Sequence, residues 1–235
     1  MLLASVLSVA LAAPVVIEQR GDLYLKQPSG TLKRLTSYGH NFSPAVSPNG
    51  KWVAYLSTPA ALATDSWGRA IAQNVWLMAL PSGQARRLTG QPAALAQAHT
   101  VRSTPSWSPD SALLAWAEDE QGPLDSRSTV AVYTPGTASL QQFAAPIAYI
   151  ESGPPDTLAW GPGHRLAAAG PLNVGTGGMA SGVIVYRLDG SWTVFGNSPG
   201  HLSIADRRWV DASTIEVTDL AGVNARLDIQ TGQWK

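Results

Sequence analysis

The chain has 235 residues, of which 45% are hydrophobic and only 14% are charged. This composition is too apolar for a disordered chain, and no run of 18 apolar residues could span a bilayer, so a compact soluble protein is expected. Sixteen Lys and Arg balance sixteen Asp and Glu, so that no net field favours nucleic acid or an anionic membrane as a partner. The lack of cysteine excludes disulfides, thiolate metal sites and cysteine nucleophiles.

The first segment, residues 1–13, reads MLLASVLSVALAA. An uncharged apolar stretch that ends in small residues is typical of a secretory signal peptide. A buried first strand is the alternative, because the basic residues that usually open a signal peptide are missing. We expect a mature chain that begins near Ala13 and is exported to a periplasm or to the exterior.

A repeated hairpin pattern organises the rest of the chain. Residues 43–55 read SPAVSPNGKWVAY and residues 104–116 read TPSWSPDSALLAW, with weaker copies at 157–167 and 206–215. Each copy predicts a short strand, a tight turn rich in Pro, Asn, Asp, Gly or Ser, and a second strand. Together these elements form a β-hairpin.

A second pair of predicted strands follows each hairpin, and an extra pair at 23–27 and 32–36 opens the chain, preceded by a strand at 15–19. Four-stranded units in series are typical of a β-propeller. The pattern therefore predicts an all-β fold: one domain over 14–235 with five blades of four-stranded antiparallel sheets, each of about 44 residues. The first blade lacks its innermost strand in this count, which leaves open whether the ring stays open or closes through another chain. Six tryptophans on these strands are expected to pack between blades: Trp52, Trp76, Trp107, Trp116, Trp160 and Trp209.

The two strong copies, each preceded by the tripeptide RLT at 34–36 or 87–89, resemble the WD40-like PD40 repeats of TolB-type propellers. The resemblance implies a bacterial, often periplasmic protein that serves as a protein-interaction scaffold. The same repeat also forms the propeller of prolyl oligopeptidase-like enzymes. The Gly-x-Ser-x-Gly pattern of their nucleophile elbow is matched at residues 196–200, but this segment lies in a connection between predicted strands, without the strand-to-helix turn that the elbow needs. We therefore predict a non-enzymatic protein without a cofactor.

The connections between predicted strands fall into two sets, one on each face of a propeller. The turns inside hairpins are short. The connections on the opposite face are long, at 58–74, 90–103, 119–129, 144–156, 170–182 and 196–205. Long loops are uncommon unless they are functional or disordered, so this long-connection face is predicted to bind a partner.

Candidate binding residues lie in these long connections. Four have the residue types that dominate protein interfaces: Trp67, Arg69, Arg102 and Arg127. Three further candidates occupy equivalent connections between blades: His40, His99 and His201. Converging imidazoles would suit zinc, but no carboxylate stands at matching spacing. We predict no metal, and we expect each histidine to bond its own blade.

An acidic cluster of Glu118, Asp119, Glu120 and Asp125 falls in the connection 119–129. Glycoside hydrolysis needs two carboxylates held roughly 5 to 9.5 Å apart by rigid elements, so a contiguous run predicts a solvated loop. The predicted function is protein binding through the long-connection face. The alternative is a small-molecule or glycan binder, or a glycosidase-like enzyme, that uses a pocket on the propeller axis. A third hypothesis is a structural remnant of a larger repeat protein.

Overall fold

A computed structural model describes residues 14–59, 72–80, 82–91, 99–121, 126–144, 158–173, 179–196, 204–219 and 221–235. The predicted signal segment 1–13 lies outside these residues. The described secondary structure consists of strands, apart from one 3-10 turn at Pro162–His164. No helix in the described part of the chain is long and apolar enough to cross a bilayer.

The strands form five sheets in chain order. The first sheet contains β1 (Val15–Gln19), β2 (Asp22–Lys26) and β3 (Leu32–Arg34). The second contains β4 (Asn41–Val46), β5 (Trp52–Ser57), β6 (Asn74–Ala79) and β7 (Ala85–Arg87). The third contains β8 (His99–Arg102) and β9 (Ser106–Trp107), which share one position beside β10 (Leu114–Gln121), then β11 (Ser126–Thr134) and β12 (Ser139–Ala144).

The fourth sheet contains β13 (Ala159–Gly161), β14 (Arg165–Asn173), β15 (Met179–Tyr186) and β16 (Trp192–Phe195). The fifth contains β17 (Ile204–Trp209), β18 (Thr214–Asp219), β19 (Asn224–Asp228) and β20 (Gln233–Trp234). Neighbouring strands are antiparallel throughout. The predicted all-β propeller of five blades is confirmed, including the three-stranded first blade.

The hairpin turns of the second and third sheets use the same hydrogen bonds, which explains the strongest sequence repeat. Ser108 Oγ donates to Asp110 Oδ1 at 2.6 Å and accepts the backbone N–H of Leu113 at 2.9 Å. Ser47 and Asn49 form the equivalent bond at 2.8 Å. The hydrogen bond from Ser108 is the main reason that the pKa of Asp110 lies at about 2. These side chains therefore serve the turn, as predicted for Asp110.

The RLT tripeptides also have a structural role. Thr36 Oγ1 accepts the backbone N–H of Leu23 at 2.9 Å, and Thr89 Oγ1 accepts that of Val75 at the same distance. Each threonine thereby fixes the end of the outer strand against the preceding strand of its sheet.

Tryptophans in the first strands of the later sheets join each sheet to the one before it. The indole Nε1 atoms donate to backbone carbonyls at equivalent positions: Trp107 to Ala45 at 2.9 Å, Trp160 to Ser106 at 2.9 Å and Trp209 to Ala159 at 3.1 Å. Val46 stands at this position in the second sheet, so the first interface has no such bond. The predicted packing of these three rings between blades is confirmed.

Four hydrophobic clusters fill the four interfaces between successive sheets. Each contains a fully buried side chain: Leu23 at the first interface, Trp116 at the second, Ile184 at the third and Leu227 at the fourth. Among the described residues, no cluster, hydrogen bond or ion pair joins the fifth sheet to the first. In the part of the chain that the structure describes, the core is therefore a series of four layers.

The outer faces of the two terminal sheets differ. On the fifth sheet, Glu216 Oε1 lies 2.5 Å from Arg208 and Oε2 lies 2.9 Å from Arg226. Both arginines, Arg208 foremost, hold the pKa of the Glu216 carboxyl below its usual value. On the first sheet, Val15 and Leu32 lie on the face turned away from the core, 51% and 39% exposed. The same face of the first sheet also carries Lys26, which is paired with both residues, and the Arg34–Asp22 ion pair. Both ends of the array therefore carry charged groups, and the first sheet adds exposed apolar side chains.

Three of the predicted long connections are partly strand. The hairpin of β10 and β11 occupies most of 119–129, that of β14 and β15 most of 170–182, and β8 lies within 90–103. Glu118 and Asp119 are buried on β10, so the prediction of a solvated acidic loop is wrong for both. Asp125 lies outside the described residues. The hairpins of β10 with β11 and of β14 with β15 are longer than predicted because their strand pairing extends past the repeated segments.

Candidate functional site

The predicted binding residues fall partly outside the described structure. Trp67, Arg69 and His201 lie beyond the described ranges, and their roles stay predictions. His99 opens β8 and Arg127 lies near the start of β11. Nothing further is described of these two side chains, so their roles stay predictions too.

Arg102 is buried, which corrects the prediction that it lies in an exposed surface loop. Its Nε donates to Glu118 Oε1 at 2.6 Å, and its Nη1 donates to the carbonyl of Gln73 at 2.5 Å. Glu118 also accepts hydrogen bonds from Trp116 Nε1 at 2.8 Å and from Gln142 Nε2 at 2.7 Å. Because Gln73 directly precedes β6, this network joins the second and third sheets.

The buried carboxylates do not converge. Successive residues of a strand point to opposite faces, so Glu118 faces the second sheet and Asp119 faces away from it. Asp119 accepts a hydrogen bond from Ser128 Oγ at 3.1 Å. No group of three or more His, Asp or Glu able to hold a metal ion occurs within the described ranges.

A cleft of about 400 Å³ opens between the first and second sheets. Its lining comes from the connection after β3 and from all four strands of the second sheet: Thr36, Tyr38, Asn41, Tyr55, Ser57, Pro59, Asn74, Trp76 and Arg87. These residues lie at the strand ends that join the long connections, so the cleft belongs to the long-connection face. The first sheet packs on the second mainly through contacts of β1 and β2 with β4, and the cleft opens beside these contacts, over β6 and β7.

Aromatic rings form the walls of this cleft. Tyr55 and Trp76 are paired across β5 and β6, and their rings stack with centroids 6.3 Å apart at 17°. Burial raises the pKa of the Tyr55 hydroxyl to about 12, so that it stays neutral near pH 7. Tyr38 is 50% exposed and meets the ring of His40 edge-on, with centroids 5.2 Å apart. His40 is thus the predicted site residue that lies nearest to the cleft lining.

Uncharged polar side chains form the buried part of the lining. Asn41, Ser57 and Asn74 are each at most 5% exposed. Asn41 Nδ2 donates to the carbonyl of Gly21 at 3.3 Å and to Thr36 Oγ1 at 3.2 Å. The amide of Asn41 therefore anchors the cleft to the turn between β1 and β2.

Arg87 is the only charged side chain among the described residues that line the cleft. It is exposed, it lies directly opposite Trp76 in the pairing of β6 and β7, and within the described structure it has no ion-pair partner. Arg86, the preceding residue, faces the third sheet, with its guanidinium carbon 5.2 Å from the ring centroid of Tyr133. The cleft therefore combines aromatic walls, a neutral polar floor and one free positive charge.

Trp76 was expected only to pack between blades, and none of Tyr38, Tyr55 and Arg87 stood out in the sequence as a site residue. The signal that could have pointed to the cleft is the exchange of Asp22, at the start of β2, for Asn74 at the start of β6.

No protein-family model and no curated protein sequence matches the chain. Solved structures with a similar fold include TolB from Acinetobacter baumannii, with 18% identity and a TM-score of 0.54 over 91% of this chain and 48% of that one. The acylaminoacyl peptidase of Pyrococcus horikoshii is 13% identical, with a TM-score of 0.56 over 91% of this chain and 34% of that one. Puromycin hydrolase is 16% identical, with a TM-score of 0.58 over 95% of this chain and 36% of that one. The chain spans less than half of each protein, and the likeness shows the β-propeller fold alone.

Proposed function

We propose that this chain is an exported, non-enzymatic β-propeller that binds another protein through its long-connection face. The observation that carries the proposal is the cleft between the first and second sheets, with its aromatic walls and unpaired Arg87. Concave sites lined by aromatic groups and a few polar groups are the usual binding sites of proteins. Tyr, Trp and Arg are also the residue types that contribute most at interfaces.

The chemistry of the described residues supports binding rather than catalysis. No carboxylate or histidine is found in the described part of the cleft lining, so general acid–base catalysis has no suitable residue among these side chains near pH 7. Glu118 accepts hydrogen bonds on both carboxylate oxygens, and Asp119 faces the other way. A pair of carboxylates around one substrate bond is thus missing from the described part of the chain.

The proposal extends to the rest of the long-connection face. The connection 58–74, which carries Trp67 and Arg69, begins at the cleft wall beside Pro59 and returns to it at Asn74. We assign these two residues, together with Arg127, His99 and His201, to the outer part of the same binding surface. Residues 1–13 act as the export signal in this proposal, and 14–235 form one propeller domain in a periplasm or outside the cell.

A small ligand is the second candidate. The cleft volume of about 400 Å³ falls in the range of roughly 300 to 1,000 Å³ for small-molecule sites, and stacked aromatic rings suit a planar or sugar ring. This site lies between two sheets, whereas the sequence placed the small-molecule or glycan alternative on the propeller axis.

The test is a binding titration against the partner recovered from exported fractions with the mature chain. Tyr38→Ala and Arg87→Ala should each weaken binding by more than about 1 kcal/mol, because exposed aromatic and Arg side chains in a concave site act as hot spots. Trp192→Ala is the matched control, since this exposed ring lies on β16 of the fourth sheet. Normal binding by both cleft variants, with a loss in the Trp192 variant, would contradict the proposal.

A further inference from the structure

We infer that the cleft between the first and second sheets binds the carboxyl-terminal residue of a protein when that residue is aromatic. This inference rests on the proposed function and names the chemistry of the partner. The terminal ring packs against Trp76, and the terminal carboxylate pairs with Arg87.

Comparison of the first two sheets shows why Arg87 lacks a partner inside the protein. Arg34 and Arg87 begin the two RLT tripeptides. Asp22 and Asn74 occupy equivalent positions, since each opens its strand and directly precedes the residue that the RLT threonine contacts. In the first sheet, Arg34 Nη2 lies 2.5 Å from Asp22 Oδ2. In the second sheet the neutral Asn74 replaces the aspartate, and Arg87 is left without a carboxylate among the described residues. The repeat therefore removes an internal anion beside this cleft.

The charge of the lining selects the ligand. No acidic residue is among the described residues that line the cleft, and the planar guanidinium of arginine matches a carboxylate through two parallel hydrogen bonds. An anionic group on the ligand thus takes the position that Asp22 holds in the first sheet.

The position of that carboxylate relative to the ring selects a chain terminus. Trp76 and Arg87 are directly opposite each other on β6 and β7, so that their Cβ atoms are about 5 Å apart. In an extended peptide the next side chain points to the opposite face, which carries a neighbouring Asp or Glu away from Arg87. A carboxyl-terminal residue carries its ring and its carboxylate on the same Cα and satisfies both contacts.

The test is isothermal titration of the full chain with the peptide Gly-Ser-Gly-Phe, its carboxyl-terminal amide, and N-acetylphenylalanine. The free acid should bind roughly tenfold more tightly than the amide, because charge-assisted hydrogen bonds are about twice as strong as neutral ones. Arg87→Gln should abolish this preference. Arg86→Gln should keep it, because Arg86 lies on the same strand and faces the third sheet.

Asn74→Asp provides a second, independent variant. It restores the internal carboxylate of the first sheet, so it should neutralise Arg87 and remove the preference for the acid without any change to the arginine. Should this buried substitution prevent folding, the exposed Arg87→Gln variant still decides the question.

Three results would overturn the inference or separate it from the proposed function. Equal binding of acid and amide by the wild-type chain would show that Arg87 does not bind the terminus. Equal binding of N-acetylphenylalanine and the peptide would identify a small aromatic acid as the ligand instead of a protein. If no probe binds while Tyr38→Ala still weakens capture of the exported partner, the inference fails and the proposed function stands.

Discussion

Two arginine–glutamate pairs in this protein differ mainly in burial. The side chains of Arg102 and Glu118 are 6% and 8% exposed, whereas Arg208, which pairs with Glu216, is 69% exposed. A buried pair that loses one partner leaves an uncompensated charge. Arg208 contributes less, because water solvates its exposed guanidinium and because a second arginine, Arg226, also pairs with Glu216.

Arg102→Ala should therefore lower the free energy of unfolding by about 3 to 5 kcal/mol. Arg208→Ala is the matched control and should cost less than about 1 kcal/mol, since Arg226 remains beside Glu216 at 2.9 Å. Urea denaturation of both variants gives the comparison. A stable Arg102 variant that binds the partner poorly would instead restore the sequence-based assignment of Arg102 to the binding surface.

At the scale of the strand, the repeated tryptophan holds neighbouring sheets together. Trp107 is 8% exposed, packs in the cluster between the second and third sheets, and donates its indole N–H to Ala45. Trp107→Ala should destabilise the protein by about 3 to 5 kcal/mol through loss of packing. Trp107→Phe keeps much of the packing but removes the hydrogen bond to Ala45. The loss of that bond should lower the free energy of unfolding by about 1 kcal/mol.

Thermal or chemical unfolding followed by circular dichroism measures both effects. Trp192→Ala, at the exposed ring on β16, is the control and should leave the midpoint nearly unchanged. An unchanged midpoint for Trp107→Ala would show that this ring does not hold the two sheets together.

The sequence predicted the turns and sheet order well, because the side chains of Ser, Asn and Asp determine turns locally. It placed the ends of β10, β11, β14 and β15 poorly. Those hairpins extend through pairing between strands, which leaves no local signal in a single segment. The burial of Arg102 was missed for the same reason, since its partner Glu118 lies on a different strand.

The cleft could be predicted only in part. One ingredient was visible, because Asn74 stands before the second RLT where Asp22 stands before the first. Which face of the second sheet stays uncovered depends on how the sheets pack, and strand patterns alone do not determine that geometry.

At the scale of the whole molecule, the core is a series of layers. Each inner sheet is packed on both faces, and the terminal sheets are packed on one. In linear arrays of this kind, stability adds up from contacts between nearest neighbours, and the ends open first.

Hydrogen exchange monitored by mass spectrometry should therefore show graded protection. Amides of β10 and β11 in the third sheet should exchange most slowly, and those of β2 and β19 in the terminal sheets faster. The third sheet serves as the internal reference within each sample. Equal protection of all five sheets would indicate that the first and fifth sheets close the ring on each other.

The charged outer faces of the first and fifth sheets bear on self-assembly. A linear array with two matching ends would invite head-to-tail growth, because each copy could dock on the next without closing a ring. Here the outer face of the first sheet carries Lys26 and the Arg34–Asp22 ion pair beside Val15 and Leu32, and that of the fifth sheet carries Glu216 held between Arg208 and Arg226. Joining these faces would strip water from ions whose partners already lie within their own sheet. That desolvation cost opposes filament formation by an array of this kind.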